Sequence, residues 1–138
     1  MIVASRAGRA FLAKALKGEN PGGSGGFAVH LFVNDITPVP ATPLVSFTEA
    51  SFGSYALVGR TYGTTTGPTL DGDDQQVRMG GDFFEFNCTS APETVYGWYL
   101  TDDASGEWLL ADKYDTPHVL EVGAVHRVFI DPKVGQCG

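Results

Sequence analysis

Three groups of side chains in this sequence have the types, and part of the spacing, that chemistry uses. Asp71, Asp73 and Asp74 resemble the start of a calcium loop, and Asp82 falls at its twelfth position. Gln76 stands at the sixth, where that loop requires glycine, so an acidic solvent-exposed turn is the expectation. His30, His118 and His126 lack the close helical or hairpin spacing of a zinc site, although His118 and His126 can face one another across a hairpin. Half-buried strand histidines are expected, and no metal ligand is assigned. Asp102 and Asp103 are the nearest approach to a hydrolytic carboxylate pair, but adjacent side chains in a hairpin loop diverge.

Other signatures fail in the same way. There is no Gly-x-Ser-x-Gly elbow and no phosphate loop, and Gly22, Gly23, Gly25 and Gly26 precede a strand pattern rather than a helix. Asn87-Cys88-Thr89 matches a glycosylation acceptor, yet no secretory leader is read, because Lys14 breaks the apolar run at Phe11 and Leu12. Trp98, Trp108 and Tyr114 have the chemistry of a sugar-stacking platform, but aromatic residues on strands more often serve a core or an interface. The expectation is a protein that is not an enzyme, with no catalytic residue and no cofactor.

The elements that position these residues are strands. From Phe83 to Ile130 the chain runs through four consecutive strand patterns rich in aromatic and β-branched residues. Phe84, Phe86 and Cys88 alternate on an inward face, which predicts a buried free thiol at Cys88, with Cys137 in the terminal tail. Phe27 to Val33 carries apolar residues on both faces and should be covered on both sides. Asp102 to Gly106 predicts a hairpin, and a second tight connection near Gly123 should join Pro117–Val122 to Val125–Ile130. Ser54–Arg60 and Gln75–Met79 are weaker strands, and the run from Asn34 to Ser46, with Pro38, Pro40 and Pro43, is a long ordered loop. The count of strands predicts a jelly-roll-like antiparallel β-sandwich of about eight strands. Ile2 to Lys17 suits an amphipathic helix, and Gly18 to Gly26 a flexible hinge. The chain therefore divides into an N-terminal helix or arm with its hinge, residues 1–26, and a β-sandwich domain, residues 27–138.

Composition is that of one globular domain: 43% hydrophobic and 18% charged residues in 138 are enough to bury a core without staples. A net charge of −7 disfavours a nucleic-acid partner, and no stretch approaches the ~20 apolar residues that cross a bilayer. Charge is uneven, however. Arg6, Arg9, Lys14 and Lys17 all precede the first acid, Glu19, leaving five bases against sixteen acids, a net of −11, for the rest. Such a basic arm either docks on an acidic neighbour, a second copy included, or is a solvated helix face.

The succession LFVNDITPVPATPLVSFTEASFGSYALV, followed by FEFNCTSAPETVYGWYLTDDASGEWLLADKYDTPHVLEVG, resembles a group of small tailed-bacteriophage virion proteins. In that group an "LFxNxxTP" strand leads to an "FTEAxFxGYA" segment, and a "VYGYYVTD…LLWAERF" hairpin to a terminal strand pair. The likeness spans Leu31 to Val128 and is most specific from Thr94 to Tyr114. Size and β-content are similar to the jelly-roll cement proteins that decorate phage heads. The resemblance implies a capsid decoration protein, assembled in the host cytoplasm onto the outer face of the major capsid protein. The alternative is a tail, baseplate or glycan-binding receptor component. A homo-oligomer, dimer or trimer, is expected from the apolar faces. Arg6, Arg9, Phe11 and Lys14 of the arm, Pro38, Pro40 and Pro43 of the loop, and Tyr62 of the following turn region are the expected contacts.

Overall fold

The computed structural model describes residues 2–16, 25–53, 55–61, 68–70, 77–79 and 83–130. In chain order its elements are strand β1 (Ile2–Ala4), helix α1 (Arg6–Leu16), and strands β2 (Gly26–Phe32), β3 (Val58–Thr61), β4 (Pro68–Leu70), β5 (Val77–Met79), β6 (Phe83–Asn87), β7 (Glu93–Asp102), β8 (Trp108–Leu120) and β9 (Val125–Phe129). Five strands form one antiparallel sheet in the order β1-β8-β7-β2-β3, while β6 pairs with β9 and β4 with β5. The fold is all-β and sandwich-like, with one α-helix among the described residues.

Strand β2 explains the layering. Alternation puts Phe27, Val29 and Leu31 on one face of the five-stranded sheet and Ala28, His30 and Phe32 on the other, and all six are buried. The first face packs on the β6–β9 pair, which turns Phe84, Phe86, Val128 and the following Cys88 and Ile130 inward. Phe27 meets Phe84 edge-on across this core, their ring centroids 6.0 Å apart. Cys88 is a free, buried thiol, as its alternation predicts.

The second face is covered by loop. Chain from Val33 to Ala50 crosses it and drives Phe47 into a cluster with Phe32, Tyr99, Trp108 and Ala111. Phe47 stacks on Tyr99 at 4.5 Å and meets Trp108 edge-on at 5.5 Å. Gly97 gives Phe32 its space, because a Cβ there would lie 2.6 Å from the Phe32 ring and 2.1 Å from the Asp112 carbonyl oxygen. The loop is pinned along its length. Trp108 donates its indole N–H to the Thr42 carbonyl at 2.7 Å, Lys113 reaches Asp35 at 2.6 Å, and Asn34 bridges Ser46 and Thr48 at 2.8 Å each.

Two expectations need correction. Residues 2–16 do not form a separate arm: β1 pairs with β8 in the register Ile2↔Asp112, and Phe11 and Leu12 belong to the main core cluster. Burying those two side chains stabilises the packed state by about 1.5–3 kcal/mol each, which favours docking over a free helix. Hinge residues 17–24 lie outside the described residues. Second, the turn at Gly123 forms, with φ at +92°, but the strands on either side of it do not pair. The end of β8 is already bonded to β7, Leu120 opposite Glu93, so the turn carries the chain across the sandwich and β9 pairs with β6.

Candidate functional site

Polar residues on the covered sheet face form a hydrogen-bonded chain. His30 of β2 lies 2.7 Å from a carboxylate oxygen of Glu49 through Nδ1 and 2.8 Å from the Thr101 hydroxyl of β7 through Nε2. A carboxylate oxygen only accepts, so Nδ1 donates, and in the neutral ring Nε2 is left to accept from Thr101. Hydroxyl, imidazole and carboxylate in that order can relay a proton. Here, however, the imidazole lies flat on Tyr99, with ring centroids 4.6 Å apart, and is 9% exposed. Glu49 also accepts the Tyr55 hydroxyl at 2.5 Å, and the same hydroxyl oxygen accepts the Leu31 N–H at 3.2 Å. Burial first, then the bond to Glu49, pushes the Tyr55 hydroxyl far above its ordinary range. The network fastens the returning loop to the edge of β2, where Phe32 and Glu49 form a β-bridge. In the sequence its only signal was a histidine on an inward strand face, which must find partners.

A second cluster joins β8 to β9. Register slips between Val95↔His118 and Gly97↔Lys113, so β8 bulges over residues 114–117. Tyr114, His118 and His126 stand with ring centroids 4.6 to 5.5 Å apart, and Tyr114 Oη lies 2.7 Å from His126 Nε2. Burial, and then the neighbouring His118, lower His126 to about 4. The two histidines thus meet without the hairpin expected to bring them together. Among the described residues no three His, Cys, Asp or Glu side chains converge to hold a metal ion.

The surface sites flank α1. Ser5 caps it, its Oγ accepting the Gly8 N–H at 3.0 Å and donating to the Trp108 carbonyl at 2.5 Å. That cap fixes the helix on the start of β8 and leaves a groove of about 460 Å³ lined by Arg6, Pro40, Leu44, Glu107 and Trp108. A smaller groove of about 220 Å³ lies farther along the helix, between Ala10, Phe11 and Lys14 on one side and Asp102, Ser105 and Glu107 on the other.

The expected contact residues are distributed between these grooves and the interior. Arg6 of the helix and Pro40 of the proline loop come together on the larger groove, and Lys14 lines the smaller one. Arg9 and Pro43 are exposed. Phe11, only 8% exposed, belongs chiefly to the core, and Pro38 is buried; both are corrected from contact to structural residues. Trp98 and Trp108 are core residues, which removes the sugar platform. Tyr62, the turn Asp71–Asp74, Asp82 and Cys137 lie outside the described residues. Sequence reasoning missed the outward residues of the proline loop. Val39 is 51%, Leu44 39% and Val45 91% exposed. No family model, no curated protein and no solved structure matches the chain.

Proposed function

We propose that this chain is a structural protein of a phage virion, a capsid decoration protein that binds the outer face of the major capsid protein and clamps neighbouring subunits. The supporting observation is the outward side of the proline loop. Val39, Leu44 and Val45 project to solvent from a segment tied to the sheet through Asp35 and Thr42 and braced across itself by Asn34. Exposed apolar side chains on a rigid support are a binding surface whose ordering cost is already met by folding. The sequence resemblance over Leu31 to Val128 supplies the partner. Many copies on one shell would give avidity from individually weak contacts, and the function requires no catalytic step.

Adding the purified protein to undecorated shells should raise their resistance to heat or osmotic shock, by roughly 2.7 kcal/mol per site at one hundred times the dissociation constant. Absence of binding to shells, with recovery of the protein in purified tails by mass spectrometry, would replace this reading with a tail component.

A further inference from the structure

We infer that the protein forms a two-fold symmetric dimer in which the ridge Arg6, Ala10 and Lys14 of α1 seats against the β7–β8 turn of a second copy. This inference is independent of the capsid reading, since it concerns the isolated protein.

The ridge follows from helical spacing. Residues 6, 10 and 14 stand four apart and so form one row along α1, with a cation at each end and a methyl group between them. All three residues are exposed. Arg6 and Lys14 have no ion pair among the described residues, in a chain with sixteen acids to nine bases. Arg6 also stands in the first turn, where the helix dipole opposes a cation and no acid compensates. Across the grooves, the β7–β8 turn exposes Asp103 and Glu107, which likewise lack an ion pair among the described residues. Glu107 lines both grooves, and the smaller one separates it from Lys14.

Opposite charges placed side by side on one surface, without pairing, are self-complementary. A two-fold axis running along the groove lays the cationic ridge of each copy over the acidic turn of the other, so every contact is made twice. The small Ala10 lets the turn approach. Elsewhere two bodies of net charge −7 repel, which selects this register over others.

Sedimentation velocity on the full chain tests the dimer. At about 50 mM salt a dimer is expected at micromolar protein, and at about 500 mM its dissociation constant should rise roughly tenfold as the charges are screened. Lys14→Glu and Glu107→Lys should each drive the protein to monomer while its circular dichroism is unchanged. Combining the two reverses both signs and should restore the dimer. A monomer up to about 100 µM at low salt would overturn the inference, as would a dimer that neither single reversal weakens. Failure of the double variant to recover would assign the contact to other residues. Shell binding enters none of these outcomes, so either proposal can fail alone.

Discussion

A Cβ added to Gly8 would stand 1.9 Å from the carbonyl oxygen of Leu109. The helix therefore rests directly on the backbone of β8, and the same carbonyl accepts the Ser5 N–H at 3.0 Å. Gly8→Ala should destabilise by about 2–3 kcal/mol through overpacking, although alanine favours helix by about 1 kcal/mol. Urea unfolding measures this, and an unshifted midpoint would mean the helix is not seated there.

Removing residues 1–16 should cost the domain its cooperative fold, since it strips strand β1 from β8 and takes Phe11 and Leu12 out of the core. Loss of near-ultraviolet circular dichroism is the expected result. A truncated protein with a sharp, unshifted melt would restore the separate-arm description.

Stability should fall with acid through His126. Its folded value, about 4, lies below the ordinary histidine value of 6.5, so the unfolded chain takes up the proton first. The contribution is complete above pH 6.5 and is lost as pH falls toward 4, amounting to roughly 1–3 kcal/mol. The ring faces Tyr114 and His118 from β8 and Phe86 from β6, its register partner, and His118 is the second cause, after burial, of its lowered value. Chemical unfolding at pH 7 and pH 4.5 should show a smaller difference for His126→Phe than for the unaltered chain. Equal differences would place the acid sensitivity elsewhere.

The proline loop should separate into structural and recognition halves. Pro38→Gly is expected to lower the melting temperature, because it adds backbone freedom at a buried position, with a cost near 1 kcal/mol. Val45→Asp, at a side chain 91% exposed, should leave melting unchanged and weaken shell binding. The opposite pattern in calorimetry and shell pull-down would remove this loop from the interface.

Glu49→Gln should destabilise by about 1–3 kcal/mol, because the buried His30 and the Tyr55 hydroxyl both lose a charged acceptor. Thermal unfolding reads the cost. An unshifted melt would show that the loop is held by Phe47 packing and its bonds to Trp108 and Lys113 without the Glu49 carboxylate.

Local pattern carried much of this fold. The two-faced apolar run Phe27–Phe32, the inward series Phe84, Phe86 and Cys88, and the turn at Asp102–Gly106 all read directly from side-chain period and turn chemistry. Pairings set by distant sequence did not. Nothing near Val125 states that its partner is Asn87, and three residues, Ile2 to Ala4, are too few for a strand period to stand out from the helix pattern that follows. The grooves were half legible: Arg6 and Pro40 were chosen for charge and loop chemistry, but their meeting depends on the crossing of the loop over β8, which no local signal encodes.

Because Ile2 pairs with Asp112, the five-stranded sheet cannot close until more than one hundred further residues have been made. At ribosomal rates of about 5–20 residues per second, the first helix waits roughly 5–20 s with Phe11 and Leu12 lacking their final cover. Such long-range pairing also places folding toward the slow end for domains of this size. The nascent chain, rather than the finished protein, is where this topology is most exposed to aggregation.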